Sequence, residues 1–334
     1  MNKKMRNLLQ YLVFLGFGFF LLWLALRKSD WQEIKNNIAG TNFVYLIPAT
    51  ISLLLAHFSR AVRWKIMIEP LGYKPSMQNT FLSVLIGYWA NLAFPRLGEV
   101  LKCTALSRYE KVPAEKLVGT IVAERAFDVV TLVIVFAITI FIQYDIVGTY
   151  TIEIFRNAFQ SHSGHISYVR IIAAIIFIIA FILLINYLIK KYTHHTFIQR
   201  IKEIVRGIWH GLTSVRNIKN KGWFFFHSAL IWVFYLISTY MGFYAMPGMR
   251  EYGIKVALSA LVFGAIGMIV PSPGGIGSYQ YAVQKILSVY GISEAKGLSL
   301  GILIWFSQTV ILLIFGTLSF ILLPVLNKKK DEKS

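Results

Sequence analysis

Residues 81–102 read F-L-S-V-L-I-G-Y-W-A-N-L-A-F-P-R-L-G-E-V-L-K. The apolar part, residues 81–95, would form a helix of about 22 Å at about 1.5 Å per residue. That is short of the about 30 Å that a bilayer core demands. Pro95 stops the run, and a second amphipathic stretch, R-L-G-E-V-L-K, follows at once. The reading is two half-helices over residues 78–107, folded back on each other with the tip near Pro95. Such a backbone break is tolerated at membrane depth only where protein or a water-filled cavity surrounds it.

The flanking sequence sets this hairpin among full crossings. The chain has 334 residues, 56% hydrophobic, and only 15% are charged. Soluble domains carry about 25%. Apolar runs long enough to span occupy residues 8–26, 43–58, 117–142, 169–189, 223–246 and 298–323. A second broken run, residues 254–290, is interrupted by P-S-P-G-G-I-G-S at 271–278. The expectation is an all-α polytopic membrane protein, a single integral unit over residues 1–334. It has about six full transmembrane helices and two oppositely oriented re-entrant hairpins, or eight spans if each hairpin crosses. Soluble enzyme, disordered chain and β-barrel classes are excluded, the last because the apolar runs are continuous rather than alternating.

Charge orients the chain. Lys and Arg number 34 against 15 Asp and Glu, a formal net charge of +19. In the six-span arrangement 24 of these cations fall on the side of the N-terminus, 9 on the opposite side, and Arg125 lies within a span. Cytoplasmic loops collect Lys and Arg, so both termini are expected inside a cell (inner) membrane. The basic excess is thereby accounted for without nucleic acid. Residues 190–221 form a basic cytoplasmic segment. In it Ile201, Ile204, Val205, Ile208, Leu212 and Val215 recur at helical spacing, the pattern of an amphipathic surface helix. Residues 327–334 read as a basic cytoplasmic tail.

Two groups of residues carry candidate chemistry. At each hairpin tip a helix begins near mid-membrane, and helix N-termini favour anions. The second tip adds Ser272, Gly274, Gly275, Gly277, Ser278 and Tyr279, where glycines let backbone N–H groups approach a ligand. A tight turn packed against its neighbours is the plainer reading. The other group is charged. Arg96, Glu99 and Lys102 follow the first tip, and Glu124, Arg125 and Asp128 sit well inside the third span. Intramembrane ionisable residues point to function by default. Arg125 can pair with Asp128 at i,i+3, and Glu124 and Asp128 share a face that could meet Arg96 or Lys102. A structural ion-pair lock is the alternative, compatible with a cavity beside it. Arg60 and Arg63, also i,i+3, read either as an interfacial anchor or as a bidentate clamp for lipid phosphate.

No catalytic residue, metal site or cofactor is expected. Cys103 is the single cysteine, the histidine pairs lack ligand spacing, and no nucleophile elbow, Walker loop or H-E-x-x-H occurs.

The motifs H-F-S-R-A-V-R-W (57–64), N-L-A-F-P-R-L-G-E-V-L-K (91–102), E-R-A-F-D (124–128) and P-S-P-G-G-I-G (271–277) resemble the lysylphosphatidylglycerol-synthase transmembrane region, the flippase-like UPF0104 family. The resemblance covers nearly the whole chain. It implies an integral membrane protein that handles or translocates anionic or modified lipids. The soluble aminoacyl-transferase domain of full-length synthases is lacking, so lysyl transfer is not implied. The expected function is a lipid translocase for an anionic or modified phospholipid or a polyprenyl phosphate. The competing class is a membrane enzyme or accessory subunit acting on lipid phosphates. Membrane lipids are the expected partners, with self-association or a cytoplasmic protein docked on the amphipathic helix as further contacts.

Overall fold

The computed structural model describes residues 3–27, 29–94, 97–159, 218–270 and 272–331. Every regular element among them is helical. The expected fourth span, the amphipathic segment up to residue 217 and Arg96 lie outside the described residues.

Helix α1, Lys3–Leu26, turns by 96° into the short α2, Trp31–Ala39. Asp30 fixes the corner, its carboxylate accepting the N–H groups of Gln32 and Glu33 as an N-cap. Helix α3, Leu46–Ile68, leads to a pair, α4 (Met77–Ala93) and α5 (Leu97–Glu110). Helix α6, Ala114–Ile142, is followed by a wide turn and α7, Thr149–Phe159. The described segment that follows α6 is thus helical through much of its length. Helix α8, Lys221–Ala245, precedes a second pair, α9 (Gly253–Gly267) and α10 (Ser278–Ser288). The chain closes on α11, Glu294–Asp331.

Four helical segments among the described residues are long and apolar enough to cross a membrane, or five if the bent α1–α2 pair counts as one. The four hairpin helices have 17, 14, 15 and 11 residues, each too short to qualify. The hairpins open toward opposite ends of the molecule. The mouth of α4–α5 lies beside the start of α6, whereas α9–α10 meets the end of α6 through Gln143, Ser259 and Tyr290. Helix α11 packs against both α4 and α10, and α3 runs along α8.

Within each hairpin the arms touch at glycine. A Cβ on Gly98 would overlap the Gly87 carbonyl oxygen, and one on Gly267 would lie 2.7 Å from the carbonyl oxygen of Ser278. Asn91 Oδ1 accepts the N–H of Gly98 at 2.8 Å, closing the turn at the first tip. The outer face of α6, with Val133, Ile134 and Phe141 (86% exposed), presents apolar side chains outward. In water such a face would be costly, and in hydrocarbon it is the expected surface.

Two boundary differences from the sequence reading have a cause in the packing. The second span was expected to end at Phe58, before S-R-A-V-R-W-K. Helix α3 instead continues to Ile68, because Arg60 and Arg63 find buried carboxylates and need no water. The tail was expected from residue 327, yet α11 carries through Asn327, which is buried and paired with Asn79.

Candidate functional site

Three helices bring seven charged side chains together. Along α3, Arg60 and Arg63 lie one turn apart. Along α6, Glu124 and Asp128 do the same on the facing surface, so the two ladders interdigitate. Arg60 Nη1 donates to Glu124 Oε1 at 3.1 Å and to Asp128 Oδ2 at 2.6 Å. Arg63 Nη2 donates to Asp128 Oδ1 and lies 3.6 Å from Glu124. From α5, Lys102 Nζ donates to Glu124 Oε2 at 2.7 Å. Glu124 is fully buried, and Arg60, Arg63 and Lys102 nearly so. Charges this deep are stable only when paired and hydrogen-bonded.

The walls of the cluster are aromatic. Lys102 Nζ sits 4.0 Å from the Trp64 ring centroid, and Trp64 Nε1 donates to Thr120 Oγ1 at 2.9 Å. The Arg60 guanidinium lies 5.8 Å from the Tyr88 ring centroid, and Tyr88 packs on His57 at 4.3 Å. Both His57 ring nitrogens are buried without a hydrogen-bond partner among the described residues.

Arg125 is the loose member. Its side chain is 44% exposed, and its contacts to Glu99 and Asp128 are both 3.7 Å. It faces a recess between α4, α5 and α6, lined by Gly87, Tyr88, Asn91, Glu99 and Lys102 among others. Glu99 Oε2 is buried there with no hydrogen-bond partner among the described residues. Among the described residues, four cations (Arg60, Arg63, Lys102, Arg125) meet three carboxylates (Glu99, Glu124, Asp128), leaving one positive charge in excess.

The anticipated Arg125–Asp128 and Glu124–Lys102 pairs are both present. What sequence reasoning missed is that Arg60 and Arg63 are the main partners of Asp128. They were read as an anchor or clamp at the end of a span. The signal was available in the matched spacings, an i,i+3 pair of arginines and an i,i+4 pair of acids, whose faces only the tertiary packing brings together. The aromatic walls had no sequence signal.

The second tip is built differently. Ser272 Oγ and Ser278 Oγ bond at 2.9 Å, Trp305 Nε1 donates to the Gly274 carbonyl at 2.7 Å, and the Gly277 N–H donates to Gln280 Oε1 at 2.8 Å. Gly277 has a left-handed φ of 78°, and a Cβ there would overlap the Gly18 carbonyl of α1. A Cβ on Gly275 would overlap Met268, and Gly274 lies against Leu92 of the first hairpin. Tyr279 is buried against Gly264. The closest neighbours of these glycines are therefore protein groups. The two hairpins touch here, while of the two only the first contributes side chains to the charge cluster.

Residues 7–316 match the family model described as the lysylphosphatidylglycerol synthase TM region. A UPF0104 membrane protein of Methanocaldococcus jannaschii is 24% identical over 337 aligned positions, covering 96% of each chain. No solved structure matches the chain. With nearly its whole length matched and with apolar helices of spanning length, the chain is an integral membrane protein and belongs to the lysylphosphatidylglycerol synthase transmembrane-region family.

Proposed function

We propose that the protein moves a phosphate-bearing lipid between the leaflets of the cytoplasmic membrane, with both termini in the cytoplasm. The observation that carries this reading is the paired cluster with one positive charge in excess, beside a recess at a membrane-embedded hairpin. A phosphodiester headgroup carries the single negative charge that would balance it. Arg125 is the residue to exchange partners. Its 3.7 Å contacts are long for ion pairs, and a guanidinium matches phosphate oxygens bidentately. Arg96, from the tip of the same hairpin, is the second cation in this reading. Lys102, Arg60 and Arg63 hold the site's positive potential, and Glu124 and Asp128 keep them charged and in place. The lipid tails stay in hydrocarbon while the headgroup passes along the polar side of α4, α5 and α6. Both hairpins are re-entrant in this arrangement, since their helices are too short to cross. The glycine tip of the second hairpin supports the route as a wall that touches the first hairpin at Leu92.

The test is purified protein in liposomes with a fluorescent phosphatidylglycerol in one leaflet. The wild type is expected to speed its appearance in the other leaflet over protein-free vesicles. Arg125→Gln is expected to slow it about tenfold, the worth of one charge-assisted hydrogen bond of about 1.5 kcal/mol. Movement no faster than in empty vesicles would refute the reading. Lipid converted chemically, as seen by mass spectrometry, would favour a membrane enzyme instead.

A further inference from the structure

Each hairpin is fastened at its open end by a clasp of polar side chains. At the first, Asn79 and Asn327 exchange amide hydrogen bonds, each Nδ2 donating to the other's Oδ1 at 2.9 Å. Asn79 Nδ2 also donates to Glu110 Oε1 at 2.6 Å, and Ser76 Oγ donates to the same oxygen. The start of α4, the end of α5 and the end of α11 are thereby joined. At the second hairpin the bonds form a closed triangle. Gln143 Nε2 donates to Ser259 Oγ at 2.9 Å, Ser259 Oγ and the Tyr290 hydroxyl lie 2.7 Å apart, and the Tyr290 hydroxyl donates to Gln143 Oε1 at 2.6 Å. This joins the end of α6 to both arms of α9–α10.

The clasps lie at opposite ends of the molecule. Glu110 closes α5 just before α6 begins at Ala114, and Gln143 follows the last residue of α6, Ile142. The 29 residues of α6 rise about 43 Å at about 1.5 Å each. The hairpins are stiff between their ends, because Gly98 against Gly87 and Gly267 against Ser278 set backbone against backbone. Each hairpin therefore moves as one body, and its mouth is where it can part from the spanning helices. The bonds at the mouths suit that task. A side-chain hydrogen bond broken by entering water is replaced by bonds to water at little net cost. An apolar seam that opens has no such replacement.

We propose that the two clasps are alternating gates: a headgroup enters or leaves past one mouth when its clasp opens while the other stays shut. The proposal rests on the lipid-translocation reading and gives it a mechanism of access. Helix α11, packed on both hairpins, and the touching tips at Leu92 and Gly274 link the two mouths mechanically.

Reporter cysteines one turn from each clasp test it. Val256→Cys reports the second mouth and Leu323→Cys the first, both sites buried when the clasps are shut. In the Val256→Cys protein, Asn79→Cys and Asn327→Cys are joined by a short bis-methanethiosulfonate linker. In the Leu323→Cys protein, Gln143→Cys and Ser259→Cys are joined likewise. A membrane-impermeant maleimide is then applied to vesicles of each orientation, with buried Cys103 alone as the background. Closing one clasp is expected to raise labelling at the other mouth about threefold, as the blocked state's population passes to its alternative. Lipid movement should stop and return when dithiothreitol removes the linker, which also controls for folding. Tyr290→Phe, which removes a hydroxyl and no ring, should raise labelling of Val256→Cys without any linker. Reciprocal labelling in a protein that moves no lipid even when unlinked would uphold the gates and refute the lipid reading. Labelling that ignores the linker and the Tyr290→Phe change, or lipid movement at the unlinked rate in the linked protein, would overturn the gates.

Discussion

Replacing Glu124 by Gln should be the most damaging isosteric change in the cluster. The carboxylate is fully buried and has Lys102 at 2.7 Å, Arg60 at 3.1 Å and Arg63 at 3.6 Å. Glutamine keeps the shape, removes the charge and turns an NH₂ toward the cations. Arg60 and Arg63 retain Asp128, but Lys102 loses the only carboxylate within salt-bridge range of it among the described residues, while nearly buried. Breaking a buried pair by removing one partner costs about 3–5 kcal/mol. Against a typical folding stability of about 5–15 kcal/mol, that is about a fifth of the total or more. The assay is unfolding in mixed micelles by SDS titration, followed by tryptophan fluorescence. Lys102→Met supplies the cycle, because methionine fills most of the lysine stem and carries no charge. The double variant Glu124→Gln/Lys102→Met should be less destabilised than the sum of its parts by more than about 1 kcal/mol, as expected for contacting groups. A loss under about 1 kcal/mol for Glu124→Gln, or strict additivity with Lys102→Met, would mean that water reaches the cluster and the buried-pair argument fails.

Other outcomes follow from single contacts. Gly98→Ala should abolish a monodisperse peak in fluorescence-detected size exclusion, since its Cβ would overlap the Gly87 carbonyl. Gly119→Ala, in a helix with open space around it, should gain up to about 1 kcal/mol. Trp305→Phe should lose about 1 kcal/mol in the SDS titration, the net worth of its bond to the Gly274 carbonyl. Glu115→Cys and Ser293→Cys, both exposed, should label with impermeant maleimide from opposite faces of oriented vesicles. Labelling from one face would refute the opposed hairpins.

The positions of the long described helices and of the two helix pairs were legible because apolar runs and Pro/Gly breaks are local signals, whereas the short α2 and α7 were not. Pro95 and the 271–278 glycines marked both hairpins at the level of the residues where the helices stop. The end of α3 was not legible. Hydropathy treats Arg60 and Arg63 as the onset of a loop, and only Glu124 and Asp128, more than sixty residues later, make them tolerable within the helix. The cluster's membership was partly readable from the charges set in the third apolar run. Its pairing was not, because pairing depends on which faces of α3 and α6 meet. The tip glycines illustrate the converse. Their need for a small residue was evident, but whether ligand or protein fills the space is a tertiary fact, and at Gly277 the neighbour is Gly18.

The interlocked arginines and acids also constrain how the chain enters the membrane during synthesis. On translocon scales an arginine costs up to about 2.5–3.5 kcal/mol, the value at a helix centre, and α3 carries two in its C-terminal half, so it is poorly retained alone. Its neutralising partners are 64 and 68 residues downstream of Arg60. At about 5–20 residues per second of translation, they emerge about 3–14 seconds later. Through that interval α3 must be sheltered at the insertion machinery or held at the interface, and it can settle only when α6 arrives. Ribosome stalling placed between the two helices should therefore leave a cysteine in α3 open to aqueous maleimide, whereas stalling after α6 should not.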